Sequence, residues 1–174
     1  MGCLRSIKFI CSADLKVQLD INYIAMFGEN TELKKNTDYV TIRSRKLGAT
    51  ARVYKSGKLV CVGGQTRLQA KQLARQISRR IQKLNNPSIK FRRFAVINIV
   101  STIDIGQDIN LEKFTLKNQF STFYEPELHP WAESYILEPQ LTFLVYSSGK
   151  IMMCGGKNLN DLHIGCLRLK QMLC

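Results

Sequence analysis

The stretches YKSGKLVCVGGQ at residues 54–65 and YSSGKIMMCGGK at residues 146–157 decide the fold. They begin 92 residues apart and are identical at six of twelve positions. In each stretch an SGK tip joins two runs of β-forming residues, which is typical of a β-hairpin. A spacing of 92 is far longer than the roughly 20–50 residues of a solenoid repeat. The sequence therefore indicates one duplicated domain.

Similar elements surround both hairpins. A strand and a short helix precede each one, as SIKFICSADL and DINYIAMFG in the first half and as RFAVINIVSTIDI and NLEKFTLKN in the second. A longer helix follows the first hairpin. Thr66 and Gln69 at its start have capping-box spacing, and Asn86-Pro87 is predicted to end it. The residues predicted to face the core are Ala70, Leu73, Ala74, Ile77, Ile81 and Leu84.

The closing helix of the second half, NLNDLHIGCLRLKQMLC, has a less regular pattern. Gly165 interrupts it, and we expect this glycine to cost about 1 kcal/mol of helix stability. The apolar residues predicted to face the core are Leu162, Ile164, Leu167 and Leu169.

Each half has the order β-α-β-β-β-β-α, which predicts two repeats at residues 1–86 and 87–174. One such half has helices on one face of its sheet and leaves the other face bare. Two halves joined edge to edge would form one long curved antiparallel sheet. The predicted fold class is therefore α+β, a pseudo-symmetric two-repeat saddle with helices on its convex face.

The positive charge is concentrated in the first repeat. The net charge is +13, and residues 1–86 hold 17 Lys and Arg against 5 Asp and Glu, whereas residues 87–174 hold 9 against 8. Such an excess attracts polyanions, above all nucleic acid. The alternative is a basic surface that serves only solubility. In either case we expect the first repeat to hold a polyanion more firmly.

Several other classes of protein find little support. No apolar run approaches the ~18 residues of a membrane span. The six cysteines form no CxxC pair and there are only two histidines, so we expect reduced thiols, no metal site and no cofactor. The start, MGCLRS, fits a myristoylation pattern. Because residues 4–12 are also needed as a strand, we favour a strand over a lipid anchor.

With these elements placed, the sequence resembles the TATA-binding protein (TBP) family. The resemblance is carried by both SGK…GG hairpins, the helix RLQAKQLARQISRRIQKL, the strand INIVST and the segment YEPELHP, and it covers Ile7 to Leu173. The motif EPELHP within this segment is similar to that of the TBP-like factor branch, whereas TBP has EPELFP. The resemblance implies a non-enzymatic nuclear protein, a saddle fold, binding in the DNA minor groove and docking of general transcription factors outside.

In this family two phenylalanines in each repeat act as wedges that unstack base steps. No phenylalanine occupies the four matching positions, which are Thr37, Tyr54, His129 and Tyr146. The resemblance therefore implies weak DNA bending and poor TATA discrimination. His129 has an alternative interpretation as a turn residue beside Pro130.

The resemblance also implies DNA contacts along the concave face. Asn98 matches an asparagine that reads A·T pairs, and Lys8 replaces its partner in the first repeat. The family's paired threonines become Val62 and Cys154. The other apolar residues matched to the groove floor are Ile10, Val60, Val100, Leu144 and Met152. Any of them could instead belong to a core, and Asn98 could be bonded to local backbone.

Charged positions on this face differ between the repeats. Arg43 and Arg45 match phosphate contacts, and Arg52 is an added charge where the family has leucine. In the second repeat, Tyr135 and Glu138 replace basic residues.

The outer surface matches the family's partner sites. Basic residues of the long helix, which regulators and acidic partners bind in the family, match at Lys71, Arg75, Arg79 and Lys83. Together with Arg67 they recur every four residues, and the alternative is a solvated helix face. Glu125, Glu127 and Leu128 match the segment that binds transcription factor IIB, and residues 31–35 fall where factor IIA adds its sheet.

Three functions follow from the resemblance. The leading hypothesis is a monomeric TBP-like initiation factor that binds promoter DNA with weakened TATA specificity and recruits factors IIA and IIB. The alternatives are a divergent TBP that binds TATA boxes and an adaptor with little direct DNA binding. A nucleic-acid enzyme is disfavoured, since the sequence shows no paired acid and base and no GxxxxGK loop.

Overall fold

A computed structural model of the protein describes residues 3–46, 48–85 and 88–174, with the backbone alone for residues 3–5 and 85. These residues form two compact units. The first unit is Lys8–Ile97, and the second joins the chain up to Ile7 to Asn98–Cys174. The predicted helix stop at Asn86-Pro87, and with it the boundary between the two repeats, lies outside the described residues, as do Met1 and Gly2 of the myristoylation pattern.

Both repeats have the predicted β-α-β-β-β-β-α order. The elements of the first repeat are β1 (Cys3–Asp14), α1 (Ile21–Phe27), β2 (Thr31–Leu33), β3 (Tyr39–Ser44), β4 (Ala49–Tyr54), β5 (Lys58–Val62) and α2 (Arg67–Asn85). Those of the second repeat are β6 (Arg92–Asp104), α3 (Leu111–Lys117), β7 (Thr122–Phe123), β8 (Trp131–Ile136), β9 (Leu141–Tyr146), β10 (Lys150–Gly156) and α4 (Leu159–Leu173). Strand order is β2-β3-β4-β5-β1 in the first unit and β6-β10-β9-β8-β7 in the second, with antiparallel neighbours.

The two SGK tips adopt the same backbone conformation, which explains why the same residues occur in both hairpins. Gly57 and Gly149 have φ of 84° and 76°, a left-handed conformation that favours glycine. The carbonyl of Gly57 accepts a hydrogen bond from the Leu15 N–H at 2.9 Å, and that of Gly149 accepts one from Ile105 at 3.1 Å. Each hairpin tip thereby fixes the chain that leaves the first strand of its repeat.

Helix α2 begins with the predicted cap. The Thr66 hydroxyl accepts a hydrogen bond from the Gln69 N–H at 3.2 Å, and the Gln69 side chain accepts one from the Gln65 N–H at 2.9 Å. Of the predicted stripe, the residues fully buried against β4 and β5 are Ala70, Ala74, Ile77 and Ile81. Leu73 and Leu84 are half-buried. The helix therefore follows its sequence pattern closely.

Helix α4 follows its pattern less well. Leu162 and Leu169 are buried as predicted, but the prediction for Leu167 is wrong, because this side chain is 54% exposed. Gly165 lies between them against the sheet, where an added Cβ would be 2.5 Å from the Met153 sulfur and 2.6 Å from Leu141 Cδ1. Glycine at this position therefore leaves room for the Met153 and Leu141 side chains.

In the first unit the large side chain is on the helix and the small ones are on the sheet. The residue 92 positions before Gly165 is Leu73, and the sheet residues at the matching positions are Ala49, Ala51 and Cys61. Their counterparts in the second unit are Leu141, Phe143 and Met153, and all six sheet residues are buried. The first unit thus combines small sheet residues with a large helix residue. The second unit combines large sheet residues with a glycine on the helix. Interiors of fixed density require such an exchange.

Among the described residues no helix is long and apolar enough to cross a membrane.

Candidate nucleic-acid interface

Each unit has one sheet face whose side chains are partly exposed, here called its open face. It arises because successive strand residues point to opposite faces and every second one is buried. The open face of the first unit consists of Lys8, Ile10, Ser12, Tyr39, Thr41, Arg43, Thr50, Arg52, Tyr54, Val60 and Val62. The open face of the second unit consists of Asn98, Val100, Thr102, Trp131, Glu133, Tyr135, Thr142, Leu144, Tyr146, Met152 and Cys154. All predicted DNA-binding residues except Arg45 lie on these two faces.

The register gives the two open faces matching positions. Arg52 is paired with Val60 on the neighbouring strand, and Leu144 is paired with Met152 in the same way. Arg52 and Leu144 are therefore equivalents of opposite chemistry. The apolar floor itself is kept, since Ile10 is paired with Val62 and Val100 lies on the corresponding strand.

The first open face carries three cations. Lys8, Arg43 and Arg52 are exposed along it. Arg52 lies over the Tyr39 ring, with its guanidinium carbon 5.1 Å from the ring centroid. Arg43 forms an ion pair with Glu32 of the neighbouring strand at 2.9 Å, and both side chains are about half exposed or more, so this pair is weak. Two of the three cations thus remain without a carboxylate partner among the described residues.

The second open face carries an acid instead. Glu133 is paired with Leu144, and Tyr135 is paired with Thr142. The Glu133 carboxylate, hydrogen-bond partner of the Tyr135 phenol, raises the pKa of that phenol, and burial raises it further. Burial also raises the pKa of the Cys154 thiol. This face therefore presents neutral or negative groups where the first presents arginines.

An aromatic pair occupies the same place on each open face. Tyr39 and Tyr54 are cross-strand partners with ring centroids 5.4 Å apart, and Trp131 and Tyr146 are cross-strand partners at 5.7 Å. Tyr54 and Tyr146 are among the site residues predicted from the sequence, whereas Tyr39 and Trp131 are not. The signal available for Tyr39 is the alternation along TDYVTIRSRK, which puts Tyr39 on the same side of the strand as Arg43.

The other two wedge positions lie beside these pairs. His129 stacks on Trp131, with centroids 4.6 Å apart and ring planes at 13°. Thr37 is turned into its own loop, where its hydroxyl is 2.8 Å from the Lys34 carbonyl oxygen and 3.2 Å from that of Tyr39. The second unit therefore has three rings in contact where the first has two.

Asn98 is oriented by a backbone group. Its Oδ1 accepts a hydrogen bond from the Gly155 N–H at 2.8 Å. Because only the amide oxygen accepts hydrogen bonds, this contact assigns the oxygen to Gly155 and leaves the two Nδ2 donors for other partners. The two sequence interpretations of Asn98, local bonding and outward donation, are thus compatible.

Arg45 lies apart from the open face. It follows β3 and lines a pocket of about 590 Å³ with Arg79 and Lys83 of α2. Arg67, Arg75, Arg79 and Lys83 are exposed, and Lys71 is half-buried. The structure thus brings Arg45 together with the predicted partner-binding helix.

The segment that matches the family's binding site for factor IIB forms an exposed turn. The N–H groups of Leu128 and His129 both donate to the Glu125 carbonyl, at 3.0 and 2.9 Å. Glu125 and Glu127 are exposed, and Leu128 is 67% exposed. The turn thus presents two carboxylates and one apolar side chain to solvent.

Among the described residues, no group of three or more His, Cys, Asp or Glu side chains lies close enough to hold a metal ion.

Comparison with known sequences identifies one family. Residues 8–84 and 93–174 match the family described as "Transcription factor TFIID (or TATA-binding protein, TBP)". The chain is 35% identical over 156 residues to "TATA box-binding protein-like 2" of Mus musculus, which covers 88% of this chain and 44% of that relative. It is 33% identical over 157 residues to "TATA-box-binding protein" of Danio rerio, covering 90% of this chain and 52% of that one. The chain spans about half the length of these relatives.

A solved structure has the same fold. "Methanococcus jannaschii TBP" superposes with a TM-score of 0.76, at 23% identity, over 97% of this chain and 98% of that chain. This likeness confirms the fold class predicted from the sequence.

Proposed function

Because the chain belongs to the family of transcription factor TFIID, or TATA-binding protein, we propose that it is a TBP-like general initiation factor with weakened TATA specificity. The family resemblance drawn from the sequence is thereby confirmed, and proteins of this family are transcription factors rather than enzymes. In this proposal the protein acts in the nucleus as a monomer. It binds double-stranded promoter DNA in the minor groove through its open faces and recruits factors IIA and IIB.

The observation that carries the proposal is the aromatic pair at the same place on each open face. Tyr39 with Tyr54 and Trp131 with Tyr146 retain ring surface near the wedge positions, although no wedge position holds phenylalanine. The apolar side chains that would line the floor of a shallow groove lie on the same open faces.

The pairing of the rings supports weakened bending. A ring that enters a base step must first leave its partner, and such aromatic pairs contribute about 0.5–1.5 kcal/mol each. This cost adds to the few kcal/mol needed to unstack the step. TATA sequences are favoured chiefly because their pyrimidine–purine steps deform easily. A protein that bends DNA less gains less from that property and discriminates less.

Electrostatics supports attachment mainly through the first unit. Lys8 and Arg52 are available for phosphates, and Arg43 becomes available when its weak pair with Glu32 opens. Phosphate contacts of this kind attract DNA of any sequence. Asn98, whose Nδ2 donors point away from Gly155, would add a preference for A·T pairs, because N3 and O2 acceptors are common to both orientations of the pair.

Partner recruitment is proposed at three surfaces. The exposed turn with Glu125, Glu127 and Leu128 would bind factor IIB. The edge strand β2, which is at the end of the strand order among the described residues, would extend the sheet of factor IIA. The exposed cations of α2 would bind regulators.

A second candidate function is an assembly adaptor that hardly touches DNA. The second open face favours it, because Glu133 would face phosphate and the equivalents of Arg43 and Arg52 are Tyr135 and Leu144. In this case factors IIA and IIB bind while DNA affinity stays low.

Filter binding from about 50 to 200 mM salt separates these functions. We compare a TATA duplex, an A·T-rich duplex without TATA and a G·C-rich duplex, each with and without factors IIA and IIB. The proposal expects the first two duplexes within about tenfold of each other and the third weaker. A TATA preference above about a hundredfold would indicate a TATA-binding protein proper. No binding to any duplex beside intact factor binding would support the adaptor.

Trp131 provides a direct reading of the second open face, since it is the only tryptophan of the chain. DNA that reaches this face should change its emission, and Tyr146→Ala should reduce both that change and the affinity. Tyr23→Ala is the matched control, because Tyr23 pairs with Phe27 on helix α1, away from both open faces.

A further inference from the structure

Two cysteine side chains meet in the core of the first unit, and they are here called the thiol pair. Cys11 on β1 and Cys61 on β5 are direct cross-strand partners, and each is 1% exposed. The Cα atoms of such partners in antiparallel strands are roughly 4.5–5.5 Å apart, within the roughly 4.4–6.8 Å that a disulfide spans. The strand register therefore holds two thiols where a covalent bond can join them.

The contacts of the thiol pair favour reaction between its members. The Cys11 sulfur lies 3.5 Å from the carbonyl oxygen of Cys61 and 3.9 Å from that of Ala70 on helix α2. The two thiols are also hydrogen-bond partners, and this hydrogen bond lowers the pKa of Cys11 against the opposing effect of burial. The same hydrogen bond raises the pKa of Cys61, and burial raises it further. The pair thus combines a thiol that ionises more easily with one that keeps its proton, and the thiolate is the reactive form.

The equivalent pair of the second unit cannot form such a bond. Ser101 and Met153 are cross-strand partners at the matching positions of β6 and β10, and both are fully buried. The Ser101 hydroxyl has no hydrogen-bond partner in the part of the chain that the structure describes. In the first unit the residue opposite this position supplies a second thiol instead. The two units therefore differ here in whether a covalent link between their strands is possible.

The cysteines of the second unit have different surroundings. Cys154 is the cross-strand partner of Thr142, and Cys166 lies on helix α4, which Cys174 follows. Burial raises the pKa of both Cys154 and Cys166, whereas Cys174 is exposed. These three thiols are internal controls for the reactivity of the thiol pair.

We propose that the thiol pair is an oxidation site at which a peroxide joins Cys11 and Cys61 in a reversible disulfide. The Cys11 thiolate attacks one peroxide oxygen, the O–O bond breaks, and hydroxide leaves as a sulfenic acid forms. The Cys61 sulfur then attacks the sulfur of Cys11, and its proton leaves with the sulfenic hydroxyl as water. Two electrons pass from the two thiols to hydrogen peroxide, which yields two molecules of water in all. A dithiol such as dithiothreitol reverses the reaction by thiol–disulfide exchange.

The disulfide would act as a lock on the first unit. It would tie β1 to β5 and close a long loop of chain, which restricts the unfolded state. Because α2 covers the thiol pair, hydrogen peroxide would reach it when the first turns of this helix open locally. The proposal goes beyond the contacts with DNA and factors IIA and IIB proposed above and requires none of them.

Peptide mapping of the whole chain after graded exposure to hydrogen peroxide tests this proposal. Trypsin leaves each of the six cysteines in a peptide of its own, and the thiol pair lies in residues 9–16 and 59–67. The protein is oxidised in dilute solution, its free thiols are blocked in denaturant, and the digest is analysed with and without dithiothreitol. We expect these two peptides, linked within one chain, to be the main disulfide product and to separate after reduction.

Thermal melting measures the lock. The oxidised protein should melt about 5–10 °C higher than the same sample after dithiothreitol treatment. Cys11→Ser, which copies the serine of the second unit, should abolish both the linked peptides and this shift, and so should Cys61→Ala. Cys166→Ser is the matched control and should retain both. Circular dichroism of each reduced variant verifies its fold.

Four outcomes would overturn the proposal. A thiol pair that stays reduced while Cys174 is fully oxidised would be an inert part of the core. Links from Cys11 or Cys61 to other cysteines or to a second chain would exclude a site formed by these two residues. An oxidised protein that melts no higher than the reduced one would exclude the lock, and a shift that persists in Cys11→Ser would assign it elsewhere. Because DNA is absent from these measurements, failure of the promoter-binding proposal would leave them unaffected.

Discussion

The open faces of the two units follow one plan with different chemistry. At equivalent positions Arg52 corresponds to Leu144, and Arg43 corresponds to Tyr135. The apolar floor and the aromatic pair are present in both. The difference teaches that backbone duplication fixes where side chains are presented, while each repeat is free to change what is presented.

The cores show the same freedom under a stricter condition. Side-chain volume is distributed differently at matching positions, with Leu73, Ala49 and Ala51 in one unit and Gly165, Leu141 and Phe143 in the other. An open-face residue has solvent beside it and needs no compensation. A core residue needs a neighbour that changes with it.

The largest expected effect is a loss of stability when a large side chain is placed on helix α4 without a smaller one on the sheet. Gly165→Leu places a side chain where the Met153 sulfur and Leu141 lie, and we expect it to lower the free energy of unfolding by about 3 kcal/mol or more. Urea unfolding followed by circular dichroism measures it. Phe143→Ala in the same chain copies the first unit and should restore part of the loss. If Gly165→Leu alone were as stable as the unchanged protein, the proposed exchange of side-chain volume would be refuted.

The next effect concerns the wedge positions, where both units lack phenylalanine. Thr37→Phe with His129→Phe should raise the preference for TATA over a scrambled A·T-rich duplex about tenfold, or about 1.4 kcal/mol, because an apolar ring at these positions stacks in an opened base step. Competition filter binding gives this ratio. The control is Thr37→Val with His129→Asn, which adds no ring. Equal ratios for both double variants would show that these positions do not contact base steps.

A charge exchange tests the asymmetry of the open faces. Arg52→Leu should reduce the slope of log affinity against log salt by about one and weaken binding roughly three- to tenfold near 0.1 M salt. Leu144→Arg should steepen the slope by a similar amount. Lys157→Gln, at an exposed position off the strand faces, serves as the charge control. If Lys157→Gln changed the salt slope and the DNA affinity as much as Arg52→Leu does, the net charge of the protein alone would explain its attraction to DNA.

The smallest effect is expected at the Arg43–Glu32 pair. Glu32→Gln frees Arg43 and should tighten DNA binding about twofold, while the stability changes by less than about 0.5 kcal/mol because the pair is solvent-exposed. Glu29→Gln is the control, since Glu29 pairs with Arg80 away from the open face. Weaker binding of Glu32→Gln would mean that Glu32 positions Arg43 instead of competing with DNA.

Much of the fold could be predicted because its signals are local. The SGK turns, the capping residues of α2 and the alternation in β3 each depend on residues a few positions apart. The same local patterns, repeated 92 positions later, identified the duplication and the family. Most predicted site residues also lie on the open faces, since alternation alone determines which side of a strand they occupy.

Contacts across strands and between helix and sheet could not be predicted in this way. The partners of Tyr54 and Tyr146 depend on strand register, and the orientation of Asn98 depends on Gly155, 57 residues away. Leu167 fits a helical stripe by spacing yet is exposed, because Gly165 fixes the rotation of α4 against the sheet. The sequence by itself thus determined the elements, their duplication and the family, through interactions of near neighbours. The tertiary structure alone decided which rings meet, where Arg45 lies and why a glycine occupies the core face of α4, since these depend on which distant surfaces come into contact.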